Sequence, residues 1–246
     1  MNPPAVRRHL GGPRPLSLWR HEARRAGWAA LLAPPLVAGF LAVVAVDGAV
    51  RLEQPNQDTA HLLQSLLEVG LPLAAGVGAA SLVGADPAVE LQLTLPTAYR
   101  ATILRRLAVS AAWVALIALS AAAFMVASGW WHRWPAAHPP LVGQLTWLAP
   151  TVCLSGLGLL AGALSGSPAV ATVVVSSLWV FEYAAAGPLQ VHRWSRLLYL
   201  FATTRGTVDA DWTANRLTLL AAGIAMTTAG WLLLRHPSRL LTKEAE

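Results

Sequence analysis

The sequence predicts an all-α integral membrane protein whose apolar runs form six transmembrane helices. Hydrophobic residues make up 55% of its 246 positions and charged residues only 12%, whereas soluble domains carry about 25% charged residues. The mean hydropathy is +0.51. Several runs reach the roughly 20 apolar residues that a helix needs to cross a bilayer. These observations exclude a soluble globular domain with a water-facing surface around one core.

Three domains follow from the hydropathy and the charge along the chain. Residues 1–27 form a basic cytoplasmic segment, in which 16–28 is predicted to be an amphipathic interfacial helix. A signal peptide is the alternative, but the apolar run that follows is long and the cleavage-site signal is weak. Residues 235–246 form a cytoplasmic tail. The membrane domain, 28–234, contains predicted spans at 28–46, 61–83, 103–127, 144–164, 168–186 and 213–234.

A short polar segment, 84–107, separates the second predicted span from the third. Asp86 can cap a helix and Pro87 suits its first position, while Pro96 ends that helix because its ring removes a backbone donor. Thr97 can then cap the helix that enters the third span. We expect a short, rigid coupling helix at a membrane face that receives mechanical work from a soluble partner. An ordinary polar loop between two spans is the alternative.

Arginine provides almost all of the net charge of +6, and Lys243 is the only lysine. Six basic residues precede the first span, three lie between spans two and three, and three lie in the tail, against six on the opposite side. Basic residues concentrate in cytoplasmic loops, so both termini and the segment 84–107 are predicted to be cytoplasmic. Charge beside apolar helices favours orientation in the membrane over nucleic-acid binding.

The sequence lacks the motifs of several enzyme classes. No G-x-x-x-x-G-K-[ST] motif occurs, so we expect no ATP hydrolysis by this chain in the P-loop manner. No H-E-x-x-H motif occurs, and the seven histidines have no spacing suited to metal ligands. The single Cys153 excludes an intrachain disulfide. No catalytic residue, metal site or bound cofactor is therefore predicted.

Two acidic residues, Glu68 and Glu182, lie inside predicted spans, and Tyr183 follows the second of them. A carboxylate at mid-bilayer costs about 2.5–3.5 kcal/mol on insertion scales, so such a group is neutral, paired or turned toward a cavity. One interpretation is a contact with substrate or protons on a shared path. The other is a structural hydrogen bond, with Glu182 close enough to the membrane boundary to be hydrated.

Small residues recur every four positions along the fourth predicted span, at Gly158, Gly162 and Gly166. Glycine at this spacing lets two helices approach closely. We therefore expect these three positions to serve helix packing.

The connection 187–212 carries an apolar stripe opposite two arginines, a pattern that predicts a second interfacial helix. The stripe consists of Val191, Trp194, Leu197, Leu198 and Phe201, and the arginines are Arg193 and Arg196.

Several motifs together resemble bacterial ABC-2-type transporter permeases, and the basic interfacial helix followed by six spans fits that family. The motifs are Glu90-x3-Thr94-Leu95-Pro96-x3-Arg100 between spans two and three, Trp147-x2-Pro150 in the fourth span, Ser165-Gly166-Ser167-Pro168 before the fifth, and Trp212-x2-Asn215-Arg216-Leu217 at the last. The resemblance covers nearly the whole chain. The connection 187–212 departs from it, because it is longer and richer in arginine than a bare re-entrant hairpin.

The resemblance implies a half-transporter in the bacterial cytoplasmic membrane. Two permease chains, identical or related, would form the translocation path. Separate P-loop ATPase subunits would bind ATP and Mg²⁺ and dock from the cytoplasm. The coupling helix of the family falls on 86–95 here, with Glu90 and Thr94 as contacts. The positions that the resemblance assigns to coupling are Asp86, Glu90, Thr94, Leu95, Pro96 and Arg100.

The expected cargo is hydrophobic or amphipathic, such as lipids, drugs, antibiotics or peptides, because a largely apolar bundle offers few polar contacts. Membrane lipids would surround the bundle, and no nucleic-acid partner is expected. Two other functions stay open. One is an autonomous proton-coupled transporter that uses Glu68 and Glu182 as proton carriers. The other is a membrane scaffold that recruits partners without transporting anything.

Overall fold

The computed structural model describes residues 28–51, 56–83, 99–206 and 209–235 of the chain. These residues fold into helices and turns, without a β-strand among them. Five helical segments are long and apolar enough to cross a membrane, namely Leu31–Val50, Asn56–Ser81, Arg100–Ala127, Val142–Ser165 and Ala210–Leu233. The prediction of an all-α membrane protein is therefore confirmed. The fifth predicted span corresponds to a shorter apolar helix of 17 residues, Pro168–Ala184.

Six helices make up the bundle in the described residues, and two short ones lie in a connection. In chain order they are α1 (Trp28–Arg51), α2 (Asn56–Ser81), α3 (Tyr99–Ala127), α4 (Leu145–Ser165), α5 (Pro168–Ala184), α6 (Ala186–Leu189), α7 (Arg193–Leu198) and α8 (Asp209–Leu233). One π-helical turn, Leu66–Gly70, interrupts α2. Both α1 and α2 extend into the stretch 47–60, which lies between the first two predicted spans, 28–46 and 61–83.

The long helices alternate in direction, so the bundle has two distinct ends. At one end, which we call the tail end because α8 finishes there, Val83 after α2 packs with Ile103, Leu159 and Leu234. Ile103 belongs to α3 and Leu159 to α4, and Leu234 follows α8. Residues 84–98, which join α2 to α3, lie outside the described residues. The loop end, on the opposite side, holds the connections from α1 to α2, from α3 to α4 and from α5 to α8.

The tight turn between α4 and α5 shows how local sequence sets the fold at the tail end. Gly166 ends α4 in the left-handed region (φ +67°), where a side chain would be strained. The Ser167 hydroxyl accepts a bond from Val170 N (3.4 Å), and Pro168 occupies the first position of α5. The Ser165 hydroxyl lies near Ser167 O of this turn (3.1 Å) and Ala161 O of α4 (2.8 Å) and can donate to either. The next helix therefore reverses direction within three residues.

The centre of the bundle is α4, which lies between α2 and α8 at backbone contact distance. A Cβ atom placed on Gly158 would lie 2.4 Å from the carbonyl oxygen of Gly76 in α2. One placed on Gly156 would lie 2.4 Å from the carbonyl oxygen of Gly223 in α8. Glycine is required at these positions because any larger residue would push the helices apart.

The first helix lies at the periphery of the bundle. Leu36, Phe40 and Val43 are each about two-thirds exposed. In a membrane protein such side chains face lipid, so their exposure agrees with the apolar class of the chain.

Several predicted features lie outside the described residues. They are the N-terminal interfacial helix, the coupling helix with Asp86, Glu90, Thr94, Leu95 and Pro96, and the tail beyond Arg235.

Candidate functional site

A buried turn, residues 199–204, lies at the loop end in the connection from α5 to α8. The turn is irregular, yet none of its six residues is more than 7% exposed: Tyr199, Leu200, Phe201, Ala202, Thr203 and Thr204. Irregular backbone cannot satisfy its own donors and acceptors as a helix does, and a buried backbone group without a partner is costly. The bundle must therefore supply partners for this turn.

Glu68 of α2 supplies the first of these partners. Its Oε1 accepts the backbone N–H of Thr203 at 2.7 Å, and its Oε2 accepts that of Thr204 at 2.6 Å. Glu68 lies twelve residues into α2, or about 18 Å along the helix axis at 1.5 Å per residue. Both carboxylate oxygens are therefore engaged by adjacent amides of one turn, deep within the bundle.

Arg216 of α8 completes the pairing of this carboxylate. Its guanidinium forms a salt bridge with Glu68 Oε1, and both side chains are fully buried. The same guanidinium donates to Leu200 O and to Thr203 Oγ1, each at 3.0 Å. A buried charge pair of this kind offsets its desolvation only when further hydrogen bonds satisfy both partners. Here those further bonds are made to the buried turn.

Carbonyl oxygens of the connection are also bound by side chains of the bundle. Asn215 Nδ2 donates to Arg196 O at 2.7 Å and to Tyr199 O at 2.8 Å. Trp134 Nε1 donates to Thr203 O, and His61 Nε2 lies 3.1 Å from Thr204 O. A carbonyl only accepts, so the proton of this His61 bond must reside on Nε2.

The hydroxyl of Thr203 is the point at which several of these contacts meet. It accepts bonds from Trp212 Nε1 and Arg216 Nη2, each at 3.0 Å. Both of its acceptor positions are then used, so its own hydrogen is directed at Thr146 Oγ1, 3.4 Å away in α4. The turn is thereby bonded to α2, α4 and α8 together. We call this set of contacts the polar lock.

Glu182 of α5 contacts the same turn by a single bond. Its Oε2 accepts the backbone N–H of Leu200 at 2.7 Å, and the residue is 7% exposed. The two intramembrane acids that the sequence singled out therefore hold one segment at two positions.

Tyr183 lies at the edge of the polar lock, where it is 43% exposed. Its ring stacks on Trp179 with centroids 5.5 Å apart, and the guanidinium of Arg205 lies 3.8 Å from its centroid. Within the turn itself, burial raises the pKa of Tyr199 to about 12, so its phenol is neutral at physiological pH.

The π-helical turn of α2 contains Glu68 itself. A π-helical turn widens the helix, and such turns occur frequently at functional sites. Next to Glu68, the carbonyl oxygen of Val69 accepts a hydrogen bond from Trp179 Nε1 at 3.2 Å. The π-helical turn therefore directs the Glu68 carboxylate toward the buried turn 199–204 and the Val69 carbonyl toward α5.

The remaining predicted site residues lie elsewhere. Arg100, predicted for coupling, lies at the tail end, 4.9 Å from the ring centroid of Trp231, and Arg235 lies 4.8 Å from the same ring. Gly158 and Gly162 face α2, where Gly162 would bring a Cβ within 3.1 Å of Val83. Gly166 ends α4 instead of lying within the packed face.

Sequence reasoning missed the partners of Glu68. Arg216 is one of the six basic residues assigned to the opposite side, and neither Thr203 nor Thr204 is among the predicted site residues. One available signal was that Arg216 falls inside the predicted span 213–234. An arginine within an apolar span requires a partner, and Glu68 is an acid within another span.

A second feature is an apolar groove of about 470 Å³ between α1, α2 and α3. Its lining includes Ala38, Leu66, Trp113 and Phe124. The hydroxyl of Ser120, at its rim, is directed to its own helix at Leu116 O (2.7 Å). The groove therefore offers surface for hydrocarbon and few polar contacts.

No group of three or more metal-ligating side chains is found in the parts of the chain that the structure describes. Comparisons of the chain with protein-family models, with curated proteins and with solved structures each found no match.

Proposed function

We propose that this chain is the membrane-spanning permease subunit of an ATP-driven ABC-2-type exporter. Its six spans are α1 to α5 and α8, with α5 as the short one. The observation that carries the proposal is the connection from α5 to α8, which folds back as two short helices and a buried turn. This connection is longer and richer in arginine than the re-entrant hairpin of the resembled family, but like such a hairpin it places irregular backbone inside the bundle.

The charge of the tail end supports its placement in the cytoplasm. Twelve basic residues of the sequence fall on this side and six on the other, and basic residues favour the cytoplasmic face. Val83 and Ile103, on either side of residues 84–98, pack together at this same end. Partner P-loop ATPase subunits would bind there, with Glu90 and Leu95 in the contact. A second permease chain would complete the translocation path.

The apolar groove supports a hydrophobic or amphipathic cargo. Its surface offers dispersion contacts to a hydrocarbon group that displaces lipid from it. It offers almost no hydrogen bonds to a polar solute. Cargo or lipid acyl chains would therefore bind there through their hydrocarbon part.

The experiment tests the coupling contact directly. Replacing Glu90 and Leu95 together with alanine should lower the amount of ATPase that co-purifies in mild detergent, or the stimulation of its ATP hydrolysis. Leu52 and Glu53 provide a matched control, since the same residue types lie in the connection between α1 and α2. Their double alanine variant should recruit ATPase as the wild type does. Unchanged recruitment and stimulation by the Glu90 and Leu95 variant would contradict the proposed contact.

A proton-coupled transporter is the second function, favoured by the burial of Glu68 and Glu182 in the bundle. The engagement of both Glu68 oxygens by amides and Arg216 weighs against a carrier that must bind and release protons. Reconstituting the purified chain in proteoliposomes with a proton gradient separates the two. Transport without nucleotide or partner would favour the proton-coupled function, and a requirement for an ATPase and ATP would favour the exporter.

A further inference from the structure

Two arginines lie against one tryptophan at the tail end, where the start of α3 meets the end of α8. The guanidinium of Arg100 lies 4.9 Å from the centroid of the Trp231 ring, and that of Arg235 lies 4.8 Å from the same centroid. Ile103 and Leu234 belong to one buried cluster beneath them. Two like charges are therefore held on a single ring, although they repel each other.

These polar groups are donors that lack acceptors within the described part of the chain. Neither the Arg100 nor the Arg235 side chain forms a salt bridge or hydrogen bond with any described residue, and each is at least partly exposed. The indole Nε1 of Trp231 is buried and has no acceptor there either. Guanidinium and indole groups only donate hydrogen bonds. The ligand that suits such a set accepts hydrogen bonds and carries negative charge.

The charge of the whole tail-end side also favours an anion. Twelve basic and five acidic residues of the sequence are assigned to this side, against six basic and seven acidic residues in the rest of the chain. The excess remains even if every one of those five acids pairs with a basic residue. Arg105, which is exposed near the start of α3, adds to it. An anion is therefore attracted by the field of this end as well as by the two arginines.

Exposed apolar side chains continue from the two arginines toward the middle of the membrane. Leu104 lies one turn after Arg100 in α3 and is 37% exposed, and Ile224 lies two turns before Trp231 in α8 and is 60% exposed. Residues four or seven apart share one face of a helix. Seven residues correspond to about 10 Å of helix, within the roughly 15 Å of hydrocarbon in one leaflet. The arginines and this apolar surface thus match the phosphate and the acyl chains of one lipid.

We infer that Arg100, Trp231 and Arg235 form a binding site for the phosphate of an anionic phospholipid in the leaflet at the tail end. Each planar guanidinium can donate two parallel hydrogen bonds to phosphate oxygens. Trp231 keeps both at the headgroup level, where tryptophan is common in membrane proteins. A phosphate bound by both arginines links the start of α3 to the end of α8. We call this the headgroup site.

The headgroup site goes beyond the proposed function. In the orientation of that proposal its leaflet is the cytoplasmic one, but binding at the site does not depend on the orientation. Basic pockets between membrane helices bind anionic headgroups by the same chemistry.

The experiment counts lipids bound to the purified full chain by native mass spectrometry. The protein in detergent is titrated with phosphatidylglycerol or with phosphatidylcholine of the same acyl chains, so that the two lipids differ in net charge. Phosphatidylglycerol should bind about tenfold more tightly or better, because each nearby arginine favours an anionic lipid. Equal binding of the two lipids would overturn the inference.

Arg100→Gln combined with Arg235→Gln should remove this preference and weaken phosphatidylglycerol binding by about tenfold or more. The matched control is Arg133→Gln combined with Arg205→Gln, which removes two arginines that each stack on an aromatic ring at the loop end. Helical circular dichroism checks that both variants fold. Equal losses in the two double variants would show attraction by net charge alone and would overturn the site.

Single changes keep the site testable if the first double variant does not fold. Arg100→Gln and Arg235→Gln alone should each lose part of the preference, and two unchanged affinities would overturn the inference. Trp231→Leu keeps both charges but removes the ring that holds them. It should weaken phosphatidylglycerol binding by about threefold to tenfold. Wild-type affinity in Trp231→Leu would overturn the three-residue site.

Inorganic phosphate distinguishes a lipid from a free anion. At equal ionic strength, an excess of phosphate should displace no more phosphatidylglycerol than chloride does, because phosphate has no acyl chain to contact Leu104 and Ile224. Displacement by phosphate and not by chloride would show a site for free phosphate and would overturn the lipid. These measurements contain no ATPase and no ATP, so the failure of the proposed exporter and the failure of the headgroup site are separate results.

Discussion

The interface of α4 with α2 and α8 and the polar lock at the loop end bury backbone in two different ways. At the interface, Gly158 and Gly76 bring two helices into direct backbone contact. In the polar lock, Glu68 and Arg216 bind the main chain of an irregular turn. The first region excludes side chains from the contact, and the second depends on them.

The difference follows from hydrogen bonding inside an apolar medium. A helix satisfies its own backbone groups, so only shape limits how closely α4 can approach its neighbours. The turn 199–204 has no such internal ladder, and side chains must supply its donors and acceptors. We therefore expect mutations at the interface to act through volume and mutations in the polar lock to act through unpaired polar groups.

The largest effect is expected at the Glu68–Arg216 pair. Glu68→Gln should lower the free energy of unfolding by about 3–5 kcal/mol, because it leaves Arg216 buried without its counter-charge. That loss corresponds to a lower melting temperature, at about 2–4 °C per kcal/mol for a chain of this size. The measurement is the loss of the helical circular-dichroism signal on heating in detergent.

A double variant sharpens this test. Glu68→Gln combined with Arg216→Met removes both charges, so the loss should be smaller than the sum of the two single losses. Additive losses would show that the two side chains do not act as a pair.

The next effect is expected at the close helix contact. Gly158→Ala should cost about 1–3 kcal/mol, because its Cβ would lie 2.4 Å from Gly76 O and backbone cannot move aside cheaply. Gly39→Ala in α1 is the matched control, since a Cβ there meets nothing within 4 Å. Alanine at Gly39 should stabilise the helix by up to about 1 kcal/mol. Equal effects of the two changes would contradict the packing argument.

Glu182 holds the same turn by a single hydrogen bond, so a smaller effect is expected there. Glu182→Leu removes the acceptor of Leu200 N and should cost about 1–3 kcal/mol, as expected for a buried donor left unsatisfied. Glu182→Gln keeps an oxygen in that place and should cost clearly less. If glutamine were as damaging as leucine, the negative charge of Glu182 would be needed in addition to its oxygen.

The smallest effect is expected at the π-helical turn. Trp179→Phe removes the donor to Val69 O while keeping an aromatic ring in place, so the loss should be about 0.5–1.5 kcal/mol. Trp113→Phe is a control in which another indole bond to a backbone carbonyl, at Leu31 O, is removed outside the polar lock. Because the Trp113 bond is exposed and the Trp179 bond is partly buried, Trp179→Phe should cost more than Trp113→Phe.

Much of the fold could be predicted from local patterns. Apolar length identified the long helices, and Gly166 with Ser167 and Pro168 identified the turn between α4 and α5. The glycine spacing identified a close contact at Gly158. These features depend on residues near one another in the chain, so a reading of the sequence can find them.

The polar lock could be predicted only in part. Glu68 and Glu182 stood out because acids are rare in apolar spans, but their partners lie far away in the chain. Thr203 and Thr204 contribute backbone amides, which every residue has, so no side-chain pattern marks them. The apolar stripe predicted for 187–212 also divides in the structure, since Trp194 is exposed while Phe201 is buried in the turn.

The sequence by itself determined that this is a helical protein of the membrane, because apolar length and the scarcity of charge are properties of the chain alone. It also determined that Glu68 must be neutral, paired or turned toward a cavity, because an isolated carboxylate is too costly in an apolar medium. Only the tertiary structure decided that the partner is Arg216 with two amides of a distant turn. The reason is that helix packing brings α2, α5 and α8 to one place, and that proximity is not written in any local segment.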